Sequence, residues 1–401
     1  MPDQAGLYQW TEEIEQHLPE LSQAQARVLG EWSLGMVLSR SCALTAVCLW
    51  WALSQGQAFW TVRQRLREWY YPAEKKRGEK RQELEVERCF APLLRWVLSW
   101  WEGQQLALAL DATTLGQRFT VLAISVVYRG CAIPVAWVIV TAGKKGAWRP
   151  AWERLLGLLA GAVPANFTVI VLADRGLYAR WLFKGIVAQG WHPFLRVNLG
   201  GTFRPTGQAV FHQLGTFVPT ADQRWSGTGT AFKGQQSSLD CTLVAWYGEG
   251  YKDPWLVVTD LPPEACDVAW YGLRTWIEQS FKLIKRAGWQ WQRTRMTDPD
   301  RAARLWLAVA VATLWLVSVG GQADASLPDA TCPDLDLATL LPAQRRQRRA
   351  SQLRLHGVFR RGWMLILQAL LRHDPLPLGR FIPEPWPALP PPALPSSRAA
   401  A

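Results

Sequence analysis

LALALD (residues 106–111), FTVLAISVVY (119–128), AIPVAWVIVTAG (132–143) and FTVIVLAD (167–174) are the runs that decide how this chain folds. Each is short, apolar and rich in β-branched or aromatic residues, and Gly or polar turns separate them, which is the pattern of strands. The first three follow one another closely enough for an antiparallel meander. Between the third and fourth, WRPAWERLLGLLAGAV spaces its apolar residues for a helix; a second helix is predicted from about Leu177 to Gln189, before WHPFLRV. The order is β-β-β-α-β-α, with Asp111 and Asp174 closing the first and fourth strands.

That order resembles a ribonuclease H-like core, and the fold class expected is α/β. Residues 1–104 read as a helical domain, because apolar residues recur there at three- and four-residue spacing; the basic residues within 61–88 make DNA binding its expected role. The core is expected over 105–198 and 268–320, interrupted at 199–267 by a Gly-, Ser- and Thr-rich β-subdomain that contains LDCTLVAWY and PWLVVTDL. It resumes with a long helix at Ala269–Ala287 and an apolar helix at 305–319. Residues 321–374 form a basic, helical C-terminal region with the cluster Arg345, Arg346, Arg348 and Arg349 and an amphipathic helix near Gly362–Arg372. A Pro- and Ala-rich tail, 375–401, is expected to lack a packed fold.

With 401 residues, 49% of them hydrophobic, the chain can bury a large core. Its formal charge of +12 favours a polyanionic partner. Residues 61–88 hold nine basic and six acidic side chains, which suits either a solvated charged surface or a DNA-gripping element. Seven scattered cysteines without a C-x-x-C pair read as buried thiols in a reducing compartment, and the N-terminus lacks the pattern of a secretory signal, so a cytoplasmic, nucleoid-associated protein is expected. The apolar stretches Met36–Leu53 and Leu305–Val319 are interrupted or short for a membrane span and read as core helices. The five histidines are too far apart in sequence to suggest a metal site, and no G-x-x-x-x-G-K-[ST] sequence implies a nucleotide cofactor.

A strand holds a side chain rigidly, and its end opens toward solvent, where a metal ion and a phosphate can both approach. Mg²⁺ prefers carboxylate oxygens, so Asp111 and Asp174 are candidate ligands. A third acid is found in YGLRTWIEQSFKLIKRAGW. At 100° per residue, Tyr271, Arg274, Glu278, Lys282 and Lys285 fall on one stripe about 80° wide. Taken alone, this is also the pattern of an amphipathic surface helix with i,i+4 pairs such as Arg274 with Glu278.

The spacing Y-x-x-R-x-x-x-E-x-x-x-x-x-x-K, here Tyr271, Arg274, Glu278 and Lys285, resembles the signature of the insertion-sequence DDE transposases of the IS-four type. The surroundings of the two aspartates, D-A-T-T-L-G from Asp111 and A-D-R-G-L-Y around Asp174, are similar to that family's motifs. The resemblance implies that Asp111, Asp174 and Glu278 bind two Mg²⁺ ions, for which Mn²⁺ can substitute, and that Tyr271, Arg274 and Lys285 hold DNA by its phosphates. Lys282 on the same stripe and Arg175 beside Asp174 join them as candidate DNA contacts. It further implies cut-and-paste transposition by a homodimer on double-stranded DNA, with no membrane and no nucleotide cofactor involved. Family members cut one strand with water and let the freed 3′-OH attack the other, forming a hairpin; for this chain that expectation rests on the motif alone. A hairpin needs an extruded base, for which Trp225 and Trp246 are aromatic candidates more readily explained as packing residues. The alternatives are another ribonuclease H-like nuclease and a DNA-binding remnant without catalysis. If the three acids form one site, an oxygen from each converges within about 8 Å, close enough for two ions some 4 Å apart.

Overall fold

The computed structural model describes residues 4–77, 81–143, 148–234, 236–327 and 356–390. The cluster Arg345, Arg346, Arg348 and Arg349 lies outside the described residues. The chain forms two compact units: one from the described parts of 1–193, 274–331 and 353–384, the other from 194–273 and the described part of 385–401.

The larger unit opens with helices α1 (Gln4–His17), α2 (Gln23–Ser39), α3 (Leu44–Gln55), α4 (Phe59–Glu68) and α5 (Phe90–Ser99). Ser22 caps α2 through a reciprocal capping box with Gln25, which settles two backbone donors at that end. Strands β1 (Gln105–Leu115), β2 (Phe119–Tyr128) and β3 (Cys131–Thr141) form the expected meander. Then come α6 (Arg149–Leu158), β4 (Thr168–Ala173) and α7 (Arg180–Val187). The strand order is β3-β2-β1-β4, with β4 parallel to β1. A parallel neighbour needs a crossover, and α6 supplies it. β2 is buried at every position, as expected for a strand covered on both faces.

One face is covered by α9 (Pro299–Ala325), which packs against β3 and carries the fully buried Trp306 and Trp315. Among the described residues it is the one helix long and apolar enough to cross a membrane, but 94% of its most apolar window is buried within the protein. The 15-residue apolar run therefore understates the helix, whose polar ends extend it to 27 residues, while the reading of a core helix holds. The other apolar stretch is broken: α2 and α3 meet at 94°, with Arg40 in the left-handed region between them. Helix α10 (Val358–Arg372) crosses α9 at backbone contact. A Cβ on Gly362 would lie 1.8 Å from the Leu316 carbonyl oxygen, and one on Gly320 would lie 2.0 Å from that of Val358. Only glycine fits at either place.

The tail departs from expectation. Leu376 and Phe381 are buried, and Phe381 exchanges backbone hydrogen bonds with Trp100 (2.8 Å) and Glu102 (2.9 Å). Glu384 and the fully buried Asp324 share the guanidinium of Arg129, at 2.7 and 3.2 Å. Two apolar anchors and a buried ion pair order this segment despite its prolines, which composition alone concealed.

The smaller unit is an antiparallel sheet with the order β5-β10-β9-β8-β6-β7, built from β5 (His192–Arg196), β6 (Thr202–Pro205), β7 (His212–Gln213), β8 (Arg224–Ala231), β9 (Leu239–Trp246) and β10 (Trp255–Thr259). Within it, Trp386 packs on Trp270 at 4.7 Å and the Leu389 amide donates to Asp267 Oδ2, so the last described residues are ordered too.

Candidate active site

Asp111 does not end its strand: β1 continues to Leu115, and Asp111 pairs with Ala123 of β2. What ends there is the parallel ladder. β1 and β4 pair from Gln105 with Thr168 up to Leu110 with Ala173, so Asp111 and Asp174 are the next residues on two adjacent parallel strands. Their side chains emerge where the two strands part. Asp174 Oδ1 accepts hydrogen bonds from the amides of Gly176 (2.9 Å) and Leu177 (3.1 Å), and Asp111 Oδ1 accepts from Ala112 (2.8 Å). In each aspartate one oxygen is thus fixed by backbone donors while Oδ2 faces the Arg274 guanidinium.

The third acid is delivered by an element that is not a uniform helix. Residues Val268–Arg274 are 3₁₀, α8 spans Thr275–Lys282, and Leu283–Ala287 continue as a π-turn. The 100° wheel therefore applies only to the middle of the predicted helix. α8 is anchored by buried Ile277 and Phe281, and Ser280 Oγ accepts the Ala132 amide of β3. Glu278 then faces Arg274 with its side chain half exposed.

Arg274 joins the three carboxylates. Its Nη2 lies 3.2 Å from Asp111 Oδ2 and 3.5 Å from Asp174 Oδ2, and its Nη1 donates to Glu278 Oε1 at 2.7 Å. The aspartate oxygens share one nitrogen, so they cannot be farther apart than those two distances together. Arg274 is 8% exposed. One buried cation thus faces three carboxylates, and the site is short of positive charge. Burial pushes the Asp111 carboxyl above the ordinary range, against the pull of Arg274.

Lys285 donates to Thr113 Oγ1 on β1 at 2.9 Å, and burial, reinforced by Arg286, lowers its ammonium below the usual lysine range. Lys282 is exposed at the end of α8, and Arg175 is exposed on the turn after Asp174. Tyr271 belongs to the 3₁₀ segment in the smaller unit, buried edge-on against Trp255 with the Arg196 guanidinium over its ring. The predicted stripe is thus only partly realised.

Residues 102–315, more than half of the chain, match the family described as Transposase DDE domain. The chain belongs to that family. No protein of curated function matches it. Membership makes this chain a transposase by family, with DNA as substrate and chemistry that depends on divalent metal ions.

The acids of this transposase suit such an ion in donor chemistry: three carboxylates, two of them on rigid backbone, with one cation among them. Among the described residues no three His, Cys, Asp or Glu side chains are already close enough to hold one ion, because Arg274 takes the central place between the acids. Burial pushes the thiols of Cys48, Cys89, Cys131 and Cys241 up to about 12, which keeps these four protonated and unreactive. Trp225 packs on Phe217 and Phe203, and Trp246 on Tyr251 and Trp255, which accounts for both.

Proposed function

We propose that this transposase moves an insertion sequence by cut-and-paste, using Asp111, Asp174 and Glu278 to hold two Mg²⁺ ions in a ribonuclease H-like core. The observation that carries the reading is the convergence of these three carboxylates on the Arg274 guanidinium, at the point where the β1–β4 ladder ends. The β3-β2-β1-β4 order, with its single parallel pair, supports the core assignment. Mn²⁺ can replace Mg²⁺, since both accept carboxylate oxygens. When bound, the ions supply a Lewis acid for the phosphodiester and activate the attacking hydroxyl.

The chain's own residues do the positioning. Backbone amides fix the rotamers of Asp111 and Asp174, so their ligand oxygens need little reorganisation. Arg274 neutralises the acids, and with a divalent ion held by them its guanidinium would be available to a DNA phosphate, for which its planar fork is suited. Lys285, Lys282 and Arg175 add phosphate contacts, and resemblance to the IS-four type adds Tyr271. The protein acts as a homodimer on paired DNA ends and passes through a hairpin intermediate.

A denaturing gel of a labelled duplex that carries the element's terminal sequence tests the reaction course. A product migrating as a covalently closed end supports a hairpin, and open double-strand breaks alone refute that step.

A further inference from the structure

The α3–α4 hairpin lies outside the site described above. α3 ends at Gln55, Gly56 takes φ 62°, and α4 begins at Phe59, so three residues make the turn. The two helices pack on one another. Paired helices joined by a three- or four-residue turn containing Gly form the layout of a helix-turn-helix, whose second helix enters the major groove of DNA.

The inner face of α4 is committed to the fold. Val62 and Leu66 are buried, and Arg65 reaches Glu31 of α2 at 2.6 Å. The outer face carries Trp60, Arg63, Gln64 and Arg67, at i, i+3, i+4 and i+7, which is one stripe of a helix; within it Gln64 accepts from Arg67 Nη2 at 2.9 Å and donates to Glu68, bonds that a base edge would exchange for its own. Trp60 is 73% exposed, and the Arg63 guanidinium lies 5.7 Å over its ring. Stacking holds the planar fork of Arg63 in place. Arg and Gln are the side chains whose paired groups match guanine and adenine edges in the major groove. The chain's charge of +12 and the three arginines of α4 against one glutamate suit a polyanion. A protein partner would explain Trp60 and the exposed Leu49, Trp50 and Leu53 of α3, but not the arginine and glutamine stripe of α4.

We propose that α4 is a DNA-reading helix, with Arg63 and Gln64 on base edges and Arg67 and Trp60 against the sugar-phosphate backbone. This rests on the transposase reading, which supplies the DNA to be read.

The test uses the full chain in EDTA, so that no strand is cut. Fluorescence anisotropy compares binding to a duplex of about 30 base pairs from the element's end with binding to a scrambled duplex. The expected result is that Arg63→Ala and Gln64→Ala each weaken the end duplex about tenfold and the scrambled duplex by less than about twofold. Arg63→Lys keeps the charge and loses the fork, so it keeps scrambled binding and loses the preference. Both positions face solvent at least in part, and melting curves like the parent's establish that the three variants fold. Variants with an unchanged preference, a parent that binds both duplexes equally, or a loss of self-association in place of the preference would each overturn the proposal. If Asp111→Ala stops cutting while the α4 variants bind like the parent, this inference fails alone. If nothing cuts yet the preference falls as stated, the catalytic reading fails alone.

Discussion

Arg274 Nη2 lies 3.2 Å from Asp111 Oδ2, so the guanidinium and the partly buried aspartate neutralise one another at the centre of the site. The same side chain binds Glu278 and approaches Asp174. A divalent ion held by these three acids would compete with it for the same oxygens.

Arg274→Gln should therefore bind Mn²⁺ more tightly than the parent in the absence of DNA, by on the order of tenfold, because a competing charge is gone. Its DNA cleavage should fall. Titration of Mn²⁺ followed by electron paramagnetic resonance reads the affinity directly. If Arg274 merely orders the acids, the substitution weakens binding instead.

Asp111 links the site to stability. Its carboxyl is raised by burial, so the folded protein holds that proton more tightly than the unfolded chain does. The stabilising contribution is present below the ordinary carboxylate pKa, near 4, and is lost as pH rises through the folded value. At neutral pH the buried charge is a cost. Asp111→Asn should raise the melting midpoint at pH 7, by roughly 2 °C for each kcal/mol recovered, and the gain should shrink toward about pH 4. Melting curves across that range check the sign.

The Arg129 network makes a separate prediction. Arg129 pairs with Asp324, which is fully buried, and with Glu384 of the tail. Arg129→Met would remove the nearer counter-charge of Asp324 and leave Arg361, 3.9 Å from Asp324 Oδ1, as the remaining cation beside it, at a cost of up to about 3–5 kcal/mol. Urea unfolding should show it. Replacing Asp324 with Leu in the same chain should recover much of the loss, and a failure to recover would mean the cost lies elsewhere.

Much of this was legible in the sequence where the signal was local. Runs such as LALALD and TVIVLA mark their strands because β-branched and apolar side chains cluster between turn residues, and the order of elements follows from them. The i,i+4 pair of Arg274 and Glu278 was visible as spacing and is present at 2.7 Å. What sequence could not show was non-local. β1 runs four residues past Asp111 because β2 offers it partners out to Phe119, and Asp111 is exposed to the site by the end of its pairing with β4. The 3₁₀ and π segments around α8 break the assumed 100° wheel, so Tyr271 is buried against Trp255 where a surface stripe was expected. The central place of Arg274 among all three acids depends on strands and helix meeting in space. The tail's order likewise depends on partners, Trp100 and Arg129, that lie far away in the chain.

The central claim is that Asp111, Asp174 and Glu278 form one metal-dependent cleavage site. The direct measurement is Mg²⁺-dependent nicking of a duplex that carries the element's terminal repeats, at low and constant salt, comparing the parent with Asp111→Ala, Asp174→Ala and Glu278→Ala. The account predicts cutting at the repeat boundary by the parent, and a loss of at least about a thousandfold in each variant, several kcal/mol of barrier, with DNA binding retained. A parent that binds the ends and cuts with neither Mg²⁺ nor Mn²⁺, or a variant that cuts like the parent, would contradict it.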